Sequence, residues 1–217
     1  MQYCWFNKNN NDKLILIFNG WGMDEAPFRH LKSDGYDVLI LSDYRKIDID
    51  LNCFDFEKYR QKYLMAWSMG VYISGLFKEA LDKFDEKIAI NGTGKIIDNA
   101  FGIPEKIYNA TIKFFSEETK DKFVGNMFKG SKTNPKITIS KDLEALKDEL
   151  ISIKNLKINN SVDFDRAIVS FYDIIVPARN QLAYWKSKAK TIEIQSAHCP
   201  FCDYGSFEEI LCNWIRV

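Results

Sequence analysis

No apolar run in this chain approaches the roughly 20 residues that span a bilayer, which excludes a helical membrane protein. The opening MQYCWFNKNNNDK lacks the basic start and following apolar stretch of a secretory signal. A soluble, cytoplasmic protein is the expectation. Neither sign of charge is in surplus, with 30 basic and 30 acidic residues, so no global field draws the molecule toward nucleic acid or an anionic membrane. The five cysteines are odd in number and scattered, unlike a disulfide framework, and free thiols are expected. There is no internal repeat. Cys199-Pro-Phe-Cys202 has redox or zinc spacing but no second pair, so it reads as packing. Asn91-Gly92-Thr93-Gly94 lacks a nucleotide fingerprint and reads as a turn. No metal and no cofactor are expected.

What is present is an alternation. Apolar runs at 14–18, 37–41, 62–67, 87–91, 166–172 and 191–195 read as buried, mostly parallel strands. Helical spacing fills 25–33, 69–84, 178–187 and 206–214. The pattern predicts an α/β fold, a mostly parallel doubly wound sheet of the α/β-hydrolase type. The 217 residues are enough for one domain. Its core is expected at about 1–100 and 164–217. The stretch 101–163 carries helical patterns and no convincing strand, and reads as an inserted helical lid.

Ala66-Trp67-Ser68-Met69-Gly70 sits where a strand runs into a helix, the setting of a nucleophile elbow. Small residues two before and two after the serine let strand and helix approach; alanine here replaces the usual first glycine. The same serine also fits a plain helix cap. With only two histidines, His30 and His198, the search for a general base is short. His30 precedes the serine on an early helical segment and is expected to face solvent or cap that helix. His198 follows the last strand, satisfying the chain order serine, acid, histidine. Asp173 lies just past the strand before it, whereas Asp163 and Asp165 precede that strand and Asp203 follows the histidine. Each also has a bland reading, His198 as a loop histidine and Asp173 as a turn aspartate. Met69 and Trp21 are the candidate oxyanion donors, Trp21 lying between two glycines after the strand 14–18.

These segments, Phe18-Asn19-Gly20-Trp21-Gly22-Met23, Ala66 to Gly70, Asn91-Gly92-Thr93 and Ala178 to Trp185, together resemble the BioG family of pimeloyl-acyl-carrier-protein methyl ester esterases over nearly the whole chain. His198-Cys199-Pro200-Phe201 is also similar to the His-Ala-Pro-Phe segment of the BioH esterases. The resemblance implies a cytoplasmic enzyme of biotin synthesis that removes a methyl group from a pimeloyl chain on acyl carrier protein. Ser68, Asp173 and His198 would form its triad, with Trp21 and Met69 at the oxyanion site. Asn19 departs from the histidine frequent at that position in hydrolases, and the lid is the poorly matched part.

Between Lys106 and Lys136 seven lysines face Glu117, Glu118 and Asp121, an excess of four positive charges compatible with an acidic carrier protein. A solvated helical face has the same composition. Phe114, Phe115, Phe123, Met127 and Phe128 either line an acyl channel or hold the lid helices together. The triad leaves open a short-chain carboxylesterase or a thioesterase, and an inactive hydrolase fold used for binding is the reading outside enzymes.

Overall fold

The computed structural model describes residues 1–131, 133 and 137–215. Its frame is one seven-stranded sheet. The strands are β1 (Gln2–Asn7), β2 (Lys13–Phe18), β3 (Asp37–Ser42), β4 (Gln61–Trp67), β5 (Glu86–Ile90), β6 (Arg166–Ser170) and β7 (Lys190–Ile194). They lie in the order β1-β3-β2-β4-β5-β6-β7, with β1 antiparallel to β3 and every other pair parallel. Leu14 to Phe18 in β2 are all fully buried, which explains their unbroken apolar run: a central parallel strand is covered on both faces. β1 is largely exposed at one edge. Without such a run it carried no comparable signal in the sequence.

Seven helices complete the fold among the described residues: α1 (Met69–Ile73), α2 (Lys78–Leu81), α3 (Glu105–Lys113), α4 (Glu117–Met127), α5 (Leu143–Asn155), α6 (Ala178–Trp185) and α7 (Phe207–Ile215). None is long and apolar enough to cross a membrane. Two helical expectations need correction. In place of a helix at 25–33 there is only a 3-10 turn at Ala26–Phe28. The backbone beyond it bonds sideways instead, Lys32 N–H donating to the Gly205 carbonyl and Phe207 N–H to that of Lys32 (3.0 Å each). The expected helix at 69–84 is broken into α1, a 3-10 stretch Ser74–Phe77 and α2. There Ser74 Oγ turns back to the Val71 carbonyl at 2.9 Å. Gly75 also lies so close to the Asn160 carbonyl that a side chain would collide with it.

α3, α4 and α5 all fall between β5 and β6. α4 opens on a capping box between Ser116 and Thr119. At α5, the Asp142 carboxylate accepts from Ala145 N–H at 2.7 Å. α5 is strongly anchored. Its Glu149 is fully buried and accepts from Tyr44 N–H (3.0 Å) and Lys141 Nζ (2.9 Å). Burial pushes the Glu149 carboxyl above its usual range, against the opposing pull of Lys141.

Candidate active site

The parallel strands deliver their C-terminal ends to one edge of the sheet, where ligands bind in open α/β folds. The chain leaving β4 reaches Ser68, which has φ 55° and ψ −119°. A side chain rarely adopts this left-handed backbone without support. Ser68 N–H donates to the Ile90 carbonyl (2.8 Å) at the end of β5, and Val71 N–H to the Ser68 carbonyl (3.1 Å). Two glycines make room for the bend. A Cβ at Gly70 would collide with the Phe18 carbonyl, and one at Gly92 with the Ser68 carbonyl. Ala66 is buried and paired with Phe18 and Ala89, so its methyl fits where a glycine is more usual. The Ser68 hydroxyl makes no capping bond to α1.

That hydroxyl meets His198 instead. His198 Nε2 lies 3.0 Å from Ser68 Oγ, and its Nδ1 lies 2.9 Å from Asp173 Oδ2. All three residues are buried, at 4%, 1% and 4% exposure. Asp173 Oδ1 accepts from the N–H groups of Ile175 (2.9 Å) and Val176 (3.0 Å), in the turn that Pro177 closes. Asp173 Oδ2 also accepts from Gln181 Nε2 (2.8 Å) on α6. Four donors therefore surround one buried carboxylate, which offsets the cost of its desolvation.

The carbonyl of His198 is held by Trp67 Nε1 and Asn91 Nδ2, both at 2.9 Å. Asn91 has φ 46° and also ties β6 through Ser170, whose N–H donates to Asn91 Oδ1 at 2.8 Å. The turn at 91–94 thus does more than enter the insertion. Asn91, Trp67 and Gln181 are the supporting residues that sequence reasoning missed; the one hint was an Asn-Gly pair directly after a strand. His30 is exposed and sits elsewhere, with Nε2 3.1 Å from the Phe201 carbonyl.

Asn19–Met23, leaving β2, forms the opposite wall. Gly20 N–H donates to Asn19 Oδ1 (2.9 Å), and Tyr44 hydroxyl donates to the Asn19 carbonyl (2.7 Å). Trp21 Nε1 donates to the Leu146 carbonyl of α5 at 2.9 Å. Met69 is the first residue of α1, so its N–H has no acceptor within the helix.

Gly20, Trp21, Ser68, Met69 and His198 border a cavity of about 560 Å³ whose other walls come mainly from α3 and α4. Phe114, Phe115, Phe123 and Met127 line it, while Phe128 is buried outside the lining. Trp21 packs on Phe115 and Phe123 at 5.3 and 4.9 Å between ring centroids. Tyr108 hydroxyl donates to the Leu150 carbonyl (3.0 Å), and burial pushes it far above the ordinary phenol range, so it stays neutral. Among the described residues Lys122 is the one lysine in the lining. Lys106, Lys113, Lys122 and Lys129 are exposed, and Lys120 pairs with Glu117. Lys132 and Lys136 lie outside the described residues.

Comparison with known proteins agrees with this architecture. An esterase from Exiguobacterium antarcticum superposes with a TM-score of 0.68 at 13% identity over 91% of this chain and 87% of its own, a likeness of fold. BioG from Haemophilus influenzae superposes with a TM-score of 0.81 at 28% identity, covering 96% of this chain and 98% of its own. A malonyl-[acyl-carrier protein] O-methyltransferase of Bacteroides fragilis is 35% identical over 187 residues, or 82% of this chain. The match spans only 38% of that relative's length. The family model described as pimeloyl-ACP methyl esterase BioG matches residues 1–210. The chain has the α/β-hydrolase fold and belongs to the BioG family of esterases.

Proposed function

We propose that this protein hydrolyses the methyl ester of a pimeloyl chain carried on acyl carrier protein. The observation that carries the reading is the unbroken line from Asp173 through His198 to Ser68 at the wall of an apolar cavity. His198 Nε2 takes the hydroxyl proton as Ser68 Oγ attacks the ester carbonyl, while Asp173 holds Nδ1 and stabilises the imidazolium. The main-chain N–H groups of Met69 and Trp21 receive the developing oxyanion. The tetrahedral intermediate collapses, His198 gives its proton to the leaving methanol, and water attacks the acyl-enzyme by the same route.

The aromatic walls suit a methylene chain, which gains about 0.8 kcal/mol per buried CH₂. The exposed lysines of α3 and α4 suit an acidic carrier. In this reading residues 1–100 and 164–217 form the core of a single cytoplasmic domain, and 101–163 its lid. The Bacteroides relative is named for placing a methyl group on a carrier-bound acyl chain. Methyl transfer has no use for a serine backed by a histidine and a carboxylate, whereas removing that methyl group does. No nucleic acid, membrane, metal or cofactor enters the reaction.

The test is mass spectrometry of pimeloyl-acyl-carrier-protein methyl ester incubated with wild type and with Ser68→Ala. Loss of the methyl group with wild type alone is expected. An untouched ester with a protein that still reacts with a fluorophosphonate would leave a carboxylesterase or thioesterase of other specificity. A protein that neither hydrolyses esters nor reacts is a binding module.

A further inference from the structure

Cys199 and Cys202 take no part in that reaction, yet they occupy the turn immediately behind its base. Cys199 follows His198 and is fully buried, while Cys202 is partly exposed in the 3-10 turn Pro200–Asp203. The two cysteines stand three positions apart, Cys199 capping the 3-10 turn that carries Cys202. The turn is tied at both ends: Cys199 N–H donates to the Met127 carbonyl at the end of α4 (3.0 Å), and Thr133 Oγ1 to the Cys202 carbonyl (3.1 Å). Its near neighbour, the His198 carbonyl, is the one gripped by Trp67 and Asn91.

We propose that Cys199 and Cys202 are a reversible oxidation site, closed to a disulfide by hydrogen peroxide, and that closure switches the esterase off. The two thiols are not equivalent. Cys202 is partly exposed and its thiol is held below the ordinary range beside Cys199, whereas Cys199 is fully buried and burial pushes its thiol well above. Cys202 is therefore the attacking sulfur and Cys199 the resolving one. The Cys202 thiolate attacks a peroxide oxygen, the O–O bond breaks, and hydroxide leaves a sulfenic acid. The Cys199 sulfur then displaces that hydroxyl, and its own proton departs with it as water. Two thiols and one peroxide become one disulfide and two waters.

Closure must move the turn. A disulfide fixes its Cβ atoms at about 3.5–4.5 Å with a torsion of about 90°, while Cys199, at φ −102° and ψ 88°, stands outside the helical geometry of the turn that carries Cys202. That movement acts directly beside His198, whose Nε2 must remain at 3.0 Å from Ser68 Oγ. It also acts on Met127, which lines the cavity.

The inference rests on the esterase reading above, and its test separates the two. Reduced wild type, Cys199→Ala and Cys202→Ala are treated with hydrogen peroxide, then with dithiothreitol. Hydrolysis of a p-nitrophenyl ester, intact mass and a peptide map are followed throughout. Wild type is expected to lose at least about tenfold in kcat, to become two hydrogens lighter with the link mapped to 199–202, and to recover both on reduction. Both variants are expected to keep their rate without forming the link. Overturning results are a wild type that forms no such link, one that forms it at full activity, or variants inactivated as strongly as wild type. Reduced wild type that hydrolyses no ester refutes the esterase reading instead, while indifference of an active enzyme refutes only the switch.

Discussion

Adding one methyl group at Gly92 tests whether Ser68 is held by close backbone contact. A Cβ built there meets the Ser68 carbonyl group, with its carbon at 2.9 Å, and Val71 Cγ2 at 2.8 Å. The Gly92 carbonyl accepts from Trp185 Nε1 (2.9 Å), so the residue cannot retreat freely. Overpacking of this kind costs about 1–3 kcal/mol. At about 2–4 °C per kcal/mol for a chain of this size, Tm of Gly92→Ala falls by about 2–12 °C. The kinetic effect should be larger, since displacing the serine by on the order of an ångström costs about hundredfold in rate. Gly125→Ala is the matched control. Gly125 lies in α4 with nothing within 4 Å of an added Cβ, so the same change stabilises by about 0.5–1 kcal/mol and leaves kcat alone. Calorimetry and ester hydrolysis under saturating substrate read both effects. Wild-type kcat and Tm in Gly92→Ala would falsify the contact argument.

Gln181→Leu removes one of the four hydrogen bonds on the Asp173 carboxylate, a bond worth about 1.5–3 kcal/mol when the acceptor is charged. Fluorophosphonate labelling and kcat should both slow by about tenfold, and an unchanged labelling rate counts against a positioning role. Trp21→Phe breaks the bond to the Leu146 carbonyl and should lower Tm by about 2–4 °C through a loss near 1 kcal/mol, with kcat reduced; identical melting refutes the tie. For Glu149, burial raises the carboxyl above its ordinary 4.5, so the folded protein holds this proton more tightly than the unfolded chain. Its contribution is complete below 4.5 and is lost as pH rises through the folded value. The melting advantage of wild type over Glu149→Gln should therefore shrink as pH rises from 4.5, and a growing advantage contradicts the assignment.

The central strands were legible because burial on both faces leaves a run such as Leu14 to Phe18. The edge strand β1 has no such signature. That Ser68, Asp173 and His198 meet was foreseeable because the chain order expected of a triad singled them out and only two histidines competed. Their supports could not. Asn91 reaches the His198 carbonyl across 107 positions, and Gln181 looks like any polar residue on a helix until its amide is seen on Asp173. The helix expected at 25–33 failed for a related reason: its backbone bonds to the segment before α7, which local spacing does not report.

The insertion between β5 and β6 is not one mechanical piece. α5 bears the Leu146 carbonyl that receives Trp21, and its Glu149 receives Tyr44 N–H. A side chain at Gly22 would strike Leu146 at 2.7 Å. α3, α4 and the link between them instead supply about half of the cavity's apolar lining. Evolution can therefore recolour the cavity through α3 residues such as Ile107 and Thr111, whereas α4 reaches Trp21 through Phe123 and the turn after His198 through the Met127 carbonyl. A change in α4 or α5 reaches the surroundings of Ser68 and His198 at once, so drift there is answerable to the site's geometry and drift in α3 to what the cavity holds.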